Sequence, residues 1–511
     1  MTAGQNVYAA NELHIHEAAK ASFSLLHQLP SPPAHFTGRD EDLAELEKEL
    51  ASAHTTGATI SGKHAGLQGM GGVGKTALAT VLAHRLKDHY RDAHFISICA
   101  GLTRDHRPPV TPAEAMQSII HVFQPEAKLP EALDQLTSIY NGVLNEAGRV
   151  LLFLDNAADG EQVKPLLPPA NCLLLVTSRN HFSLPGMAAR NIDCLRPEKS
   201  EELLRKLSSR IKGCEKVAAE LCGHLPLALE VFAGVVEDNN TYFVADLLER
   251  LRRQPAQLTK TEAAFQVSYD LLAEDLRWRW TALAVFPASF DLRAAAAVWN
   301  DGRAGSPLPA AGVSQADGRR ARSDAPYQQI PDSDREAMQA LVTASLVEWN
   351  EANGRFRLHD LVRESCDGKL TVAERTELHL AHARHYTAVG YEAQELYKTK
   401  GKHLDGLAMF DRERVQIEAA YARLAGRDDE AGARQMIALE DAVVYTGQAL
   451  RFPPHQRIAW LESQLRAART MKDRQREGEA LGNLGLVYVD LGDPRKAIEF
   501  FERSLVFNCV N

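Results

Sequence analysis

The sequence predicts an α/β fold with a parallel β-sheet in its first 190 residues or so, followed by helical regions. Apolar strand-like runs alternate there with helical stretches, as in His94–Cys99, Arg149–Leu154 and Cys172–Thr177. Near-continuous apolar strands separated by helices are typical of a parallel sheet that is covered on both faces. Beyond about residue 195 the strand signals fade and helical periodicity dominates.

A glycine-rich segment gives the first region its chemistry. Gly69–Thr76 fits the pattern G-x-x-x-x-G-K-[ST], and a helix with apolar residues at its 78, 82 and 86 positions follows. Glycine lets backbone N–H groups approach an anion closely, and a helix N-terminus then binds phosphate. Lys75 should reach the outer phosphates and Thr76 should ligate Mg²⁺. The predicted nucleotide-binding residues in this segment are Gly69, Gly71, Gly72, Val73, Gly74, Lys75, Thr76 and Ala77.

The strand before this loop is weakly marked. Ser61–Gln68 has few apolar residues for a buried strand. Ala58–Ile60 is therefore the alternative strand, with Gly62–Gly66 as an insertion.

A neighbouring strand that ends in a carboxylate completes the predicted phosphate site. The apolar run 149–154 ends in Asp155, which should hold Mg²⁺ through water; an ordinary strand-to-loop aspartate is the alternative. Asn156 follows, and an amide can orient water but cannot accept its proton, so we expect slow or negligible hydrolysis unless another base serves. Arg179, after the third strand, can reach the γ-phosphate, although a plain surface arginine is the other interpretation.

Composition excludes several classes of protein. The 511 residues carry a net charge of −9, which does not favour nucleic acid or anionic membranes. Seven scattered cysteines without C-x-x-C suit free thiols in a reducing cytoplasm. No run approaches the ~20 apolar residues that a membrane span needs. We therefore expect a cytoplasmic protein with several domains.

The order of signals predicts five regions along the chain. Helix 335–346 followed by a hairpin, Leu346–Trp349 and Arg355–Leu358 around Asn353-Gly354, looks like a winged helix. The C-terminal end resembles one tetratricopeptide repeat, helix-turn-helix with small residues at the contact. The repeat pattern rests on Leu481, Asn483, Gly485, Tyr488, Gly492, Ala497, Phe501 and Ser504. The regions are 1–35, extension and linker; 36–193, nucleotide-binding; 194–260, helical; 261–370, winged helix with a long loop at 301–333; and 371–511, helical, with the repeat at about 477–510.

Six motifs in order resemble one family. They are Phe36-Thr-Gly-Arg39, the loop at 69–76, Leu151–Asp155, Thr177-Ser-Arg179, Cys222–Ala228 and Leu358-His-Asp360. Together they resemble the NB-ARC signal-transduction ATPases of the STAND class, the nucleotide module of plant resistance proteins and apoptosis activators, and in particular bacterial members with C-terminal tetratricopeptide repeats. The resemblance covers about 30–511.

The resemblance implies roles for four further residues. Phe36 and Arg39 belong to the segment that packs on the adenine end, and Pro226 contacts the base or ribose. His359 lies where relatives place a histidine on the β-phosphate of ADP. By their own sequence context, Pro226 could simply start a helix and His359 could be a core histidine.

The implied function is a nucleotide-controlled switch with ADP/ATP and Mg²⁺ as ligands. ADP would hold the molecule closed, and a protein or small-molecule trigger on the C-terminal helices would open it to an ATP-bound homo-oligomer. Any ATPase activity would be slow and would reset the switch. Membrane association and direct nucleic-acid binding are not expected. The alternative is a non-switching tetratricopeptide scaffold, or a protein resembling a transcription regulator, that uses nucleotide structurally.

Overall fold

A computed structural model describes residues 29–52, 63–68, 72–97, 110–180, 182, 184, 187–302, 330–351 and 353–508. Several predicted features lie outside these residues. They are the alternative strand Ala58–Ile60, loop glycines Gly69 and Gly71, most of the N-terminal extension and nearly all of the long loop at 301–333.

The described residues form a five-stranded parallel sheet, as the sequence predicts. Its order is β2-β3-β4-β1-β5, and all neighbouring strands are parallel. The strands are β1 Lys63–Gln68, β2 Asp92–Ser97, β3 Val150–Ala157, β4 Leu173–Ser178 and β5 Met187–Asn191. Along β3, Leu151 and Phe153 pack into one apolar cluster, whereas Leu152 and Leu154 pack into another on the opposite face. Both faces of the sheet are therefore covered.

The predicted insertion before the glycine loop is wrong. Gly66 lies within β1, where it is paired with Val176 on one side and Ala189 on the other. Backbone pairing with two neighbours, which needs no apolar side chain, places this strand directly before the loop. The fifth strand, β5, was not predicted, because its sequence Met-Ala-Ala-Arg-Asn lacks the β-branched and aromatic residues that mark strands.

Helices surround the sheet and continue after it. α3 and α4 cover the face that carries Leu152, and α2 contributes to the opposite face. The helices of this first region are α1 Asp40–Ser52, α2 Lys75–Leu86, α3 Pro112–Phe123, α4 Leu133–Ala147 and α5 Gly160–Val163. Those that follow are α6 Pro197–Leu207, α7 Glu215–Leu221, α8 Pro226–Asp238, α9 Val244–Arg252, α10 Lys260–Leu271, α11 Glu274–Ala282, α12 Leu292–Asp301 and α13 Asp332–Thr343.

A short β-hairpin follows α13. Its strands are β6 Glu348–Asn350 and β7 Arg355–Arg357, antiparallel with Trp349 opposite Phe356. The other edge of β7 makes a bridge from Phe356 to Phe290. The first predicted strand began two residues too early, because the chain from 344 to 347 completes the turn after α13. The identity of this region as a winged helix stays a prediction.

The remaining chain is helical. Its elements are α14 Asp360–Asp367, α15 Val372–Lys398, α16 His403–Ala425, α17 Glu430–Ala442, α18 Pro454–Thr470, α19 Arg474–Asp490 and α20 Pro494–Asn508. Gly485 of α19 meets the ring of Phe501 so closely that an added Cβ would lie 2.6 Å from it. This helix pair has the small-residue contact that the repeat pattern predicts, although its assignment as a tetratricopeptide repeat stays a prediction.

A continuous apolar core connects these parts. It extends from Leu43 of α1 through the sheet face with Phe153 to Phe410 of α16 and Trp460 of α18. The sheet and the C-terminal helices thus contribute to one apolar core. Among the described residues, no helix is both long enough and apolar enough to traverse a lipid bilayer.

Candidate functional site

The end of the glycine loop has the backbone of a phosphate-binding turn. Gly72 and Gly74 have φ angles of 78° and 92°, a left-handed conformation that favours glycine. Gly74 is the N-cap of α2, and no side chain of the described residues caps this helix. The N–H groups of a first helical turn, here at Lys75, Thr76 and Ala77, have no acceptor within the helix, and such a terminus can bind an anion. The arrangement provides both the donors and the positive end of a helix dipole.

Lys75 is buried at the start of α2. Burial, the largest influence, and the positive charge of Arg179 together lower the pKa of its ammonium group to about 8, although Asp155 opposes both effects. The group is still mostly protonated at pH 7. A phosphate chain beside it would add negative charge next to this ammonium group.

Thr76 and Asp155 are hydrogen-bonded neighbours. The Thr76 hydroxyl donates to Asp155 Oδ1 at 2.7 Å, and Thr177 donates to the same oxygen at 2.5 Å. Asp155 is only 1% exposed. Hydroxyl and carboxylate oxygens are the ligands that Mg²⁺ prefers, so the residues present fit this ion. The other carboxylate oxygen, Oδ2, faces the guanidinium of Arg357 on β7, 3.6 Å away.

Asn156 follows with a left-handed backbone, φ 61°. Its N–H donates to Thr177 Oγ1 at 2.9 Å, and its side-chain amide donates to Asp360 Oδ2 at 2.8 Å. Asp360 is the first residue of α14, so this bond joins the sheet to the segment after the hairpin. The amide thus has a positioning contact and offers no proton acceptor for catalysis.

Arg179 lies in the same cluster. Its guanidinium is 3.5 Å from Asp360 Oδ2, and its side chain is 25% exposed. Arg363 binds the other oxygen of Asp360 at 3.0 Å. The surface-arginine interpretation therefore does not describe Arg179, which faces the cluster; its predicted contact with a γ-phosphate stays a prediction.

His359 is the N-cap of α14. Its Nδ1 accepts a hydrogen bond from the Leu361 N–H at 3.2 Å. Burial, the largest influence, lowers the pKa of this imidazole to about 4, so it is neutral at pH 7. With Nδ1 as an acceptor, the remaining proton is on Nε2, which makes that atom a hydrogen-bond donor. A neutral imidazole with Nε2–H can donate to a phosphate oxygen.

Pro226 does start a helix, α8, and it also lies at the loop. An added Cβ on Gly74 would stand 3.7 Å from Pro226 Cγ, and the Leu227 N–H donates to the Gly72 oxygen at 3.4 Å. An added Cβ on Gly72 would also be 3.4 Å from Leu361 and 3.5 Å from Thr261. The glycine loop therefore contacts three later segments of the chain.

Arg39 and Phe36 support the loop from the N-terminal side. Arg39 is buried and donates to the backbone oxygens of Val73, at 3.0 Å, and Asp193. Phe36 is partly buried against the main apolar core. Arg39 thus ties the loop to the end of the sheet region, and a contact of either residue with adenine stays a prediction.

Three charged members of this cluster were not predicted from the sequence: Arg357, Asp360 and Arg363. Asp360 belongs to a quoted motif but was given no role, and both arginines are among many in the chain. Their signal is the density of charge around a histidine in Arg355–Arg363, which is unusual next to an apolar strand and helix.

Comparison with known proteins agrees with these motifs. The chain is 32% identical over 378 residues to the regulatory protein AfsR of Streptomyces coelicolor, an alignment that covers 68% of this chain and 33% of AfsR. It is 24% identical over 343 residues to disease resistance RPP8-like protein 3 of Arabidopsis thaliana, covering 60% and 35%. The chain belongs to the NB-ARC-type signal-transduction ATPases.

This NB-ARC protein spans about a third of the length of the curated relatives it matches. No family model matches it. Among solved structures, a signal-transduction ATPase with a tetratricopeptide repeat sensor from Pyrococcus horikoshii is similar at 13% identity and a TM-score of 0.45, over 95% of this chain and 78% of that one.

Proposed function

We propose that this NB-ARC protein is a molecular switch that binds ADP or ATP with Mg²⁺, is held closed by ADP and opens to an ATP-bound form that self-associates. The observation that carries the proposal is the convergence of separate segments on one loop. Residues of the sheet, α8 and the hairpin-to-α14 segment all meet at Gly72–Thr76 and Asp155.

The residues have distinct tasks in this proposal. The loop N–H groups and Lys75 bind the phosphate chain, and Thr76 with Asp155 holds the ion. Mg²⁺, when bound, would neutralise phosphate charge. His359 donates from Nε2 to a phosphate oxygen, so a nucleotide bound to the loop also holds the start of α14. The nucleotide would bias closure because the closed and open forms contact it differently.

Contacts between the C-terminal helices and the sheet region offer a route for the trigger. Arg451 donates to the Pro125 oxygen at 2.6 Å, and His455 contacts Glu131 through both its N–H, at 2.8 Å, and its ring, at 2.9 Å. A ligand that moves these helices would strain the contacts and weaken closure.

The first test is nucleotide binding by the purified chain. Mass spectrometry of the denatured protein should detect copurified ADP, and X-ray scattering should give different profiles with ADP and with a non-hydrolysable ATP analogue. Lys75→Ala should lower nucleotide affinity at least about tenfold, through loss of a charge-assisted contact with phosphate. Lys128→Ala, which removes an exposed lysine from the same region, is the matched control.

Two results would refute the switch. One is a wild-type chain without measurable affinity for adenine nucleotides. The other is a scattering profile that is identical with ADP, with the ATP analogue and without nucleotide. Nucleotide binding without any change of shape would favour the scaffold alternative, in which nucleotide has a structural role.

A further inference from the structure

Arg357 contacts the carboxylate that should hold the magnesium ion. It lies on β7, opposite Glu348 of β6, so both side chains are on one face of the hairpin. Its Nη2 is 3.6 Å from Asp155 Oδ2, and its side chain is 29% exposed while that of Asp155 is 2% exposed. The hairpin thus reaches the sheet through this guanidinium.

The two oxygens of Asp155 have different partners. Oδ1 accepts from Thr76 of α2 and Thr177 of β4, both within the sheet region. Oδ2 has the Arg357 guanidinium as its cationic partner. A hydrated Mg²⁺ on Thr76 that is held by Asp155 through water would bring a double positive charge to the same carboxylate. Mg²⁺ also keeps near-octahedral geometry and gives up its water reluctantly, so it needs room at this position.

We propose that Arg357 and Mg²⁺ compete for Asp155, so that the hairpin closes on the nucleotide site best when no Mg²⁺ is bound there. This inference rests on the proposed function, since the ion enters with the nucleotide. Two cations beside one buried carboxylate repel each other. Thermodynamic linkage then makes the effect reciprocal: closure weakens Mg²⁺ binding by the same factor by which Mg²⁺ weakens closure.

Three carboxylates act on the positive charge of Arg357. Burial alone would lower the pKa of this guanidinium, but Asp155, Asp360 and Glu348 outweigh burial and raise it. Arg357 is therefore the counter-ion of carboxylates on the sheet, on α14 and on its own hairpin. When Mg²⁺ takes the place of Arg357 at Asp155, Arg357 keeps Asp360 of α14 and Glu348 of its own hairpin as carboxylate neighbours. Release from the sheet thus does not leave the guanidinium without a counter-ion.

The test is a Mg²⁺ titration of the full chain saturated with ADP, begun in chelator and followed by calorimetry and by X-ray scattering. Arg357→Gln should raise Mg²⁺ affinity about tenfold, the effect expected for a unit and a double charge a few ångströms apart even at the dielectric of water. Arg357→Lys, which keeps the charge, should stay within about threefold of wild type. Arg335→Gln removes an exposed arginine from α13 and should change nothing.

The outcomes separate this inference from the proposed function. A rise in Mg²⁺ affinity in Arg357→Gln, together with Mg²⁺-dependent expansion of the wild-type ADP complex, supports the competition. If wild type binds ADP but its Mg²⁺ affinity does not depend on Arg357, the competition is overturned and the switch survives. If wild type binds no adenine nucleotide, the switch and the competition both fall.

Discussion

The bond between Asn156 and Asp360 predicts how a one-atom change should open the molecule. Asn156→Asp keeps the side-chain shape but replaces the amide donor, 2.8 Å from Asp360 Oδ2, by a carboxylate oxygen. Two like charges about 4 Å apart cost ~4 kcal/mol at an effective dielectric of 20. Arg179 and Arg363, at 3.5 and 3.0 Å from Asp360, offset part of that cost. We expect closure to weaken by about 2–4 kcal/mol, or ~30- to 1,000-fold.

The assay is the rate of ADP dissociation, together with hydrogen exchange of residues 348–367 and X-ray scattering at pH 7.5. Asn156→Asp should release ADP faster, exchange faster in this segment and scatter as a larger particle. Asn180→Asp is the matched control, because Asn180 lies two residues beyond the end of β4 and its amide donates to the Ala158 carbonyl and not to Asp360. Dissociation within twofold of wild type, with an unchanged scattering profile, would refute the reasoning.

Two further predictions concern the contact of α8 with the hairpin region. Gly234→Ala should lower the free energy of unfolding by about 1–3 kcal/mol in denaturant titrations, because the added Cβ would stand 2.5 Å from the backbone oxygen of Ala344. Gly142→Ala, which meets no atom within 4 Å, should be neutral or stabilising by ~0.5–1 kcal/mol, and an equal loss in both would contradict the steric argument. Burial, and then Glu348, raise the pKa of Glu230 to about 7. The folded state therefore holds this proton more tightly than the unfolded chain, so its stabilisation is complete below about pH 4 and is lost as the pH rises through about 7. Glu230→Gln should flatten this part of the pH dependence of Tm, and an unchanged slope would count against it.

The strands β3 and β4 were predictable because their burial requires apolar side chains. Leu151–Leu154 and Leu173–Val176 are apolar at every position because both faces of these strands are covered, and that constraint is visible in one sequence. The sequences of β1 and β5 have no such continuous apolar run. They are placed by hydrogen bonds to the strands beside them, which any residue except proline can make.

The same division applies to the site. The proximity of Thr76 to Asp155 was predictable, because the pattern typical of phosphate and Mg²⁺ sites demands particular residue types at fixed spacing. Arg357 and Asp360 were not, because their importance depends on how the hairpin and α14 are placed against the sheet, some 200 residues away in sequence. No local pattern encodes a contact of that range, and only the position of His359 hinted that this segment reaches the loop.

In the proposed switch, the three-residue strand β7 indicates which contact of the closed form should break first. Arg355, the first residue of β7, is buried and forms a bidentate ion pair with Glu413 of α16, with N–O distances of 2.5 and 2.9 Å. Breaking such a buried pair typically costs ~3–5 kcal/mol. Arg357, at its end, is partly exposed and 3.6 Å from Asp155, a geometry in which solvent weakens the attraction. A movement of α16 away from the sheet would therefore keep the Arg355 contact and break the Arg357 contact. The hairpin should travel with the C-terminal helices and leave Asp155, with its phosphate loop, facing an open cleft.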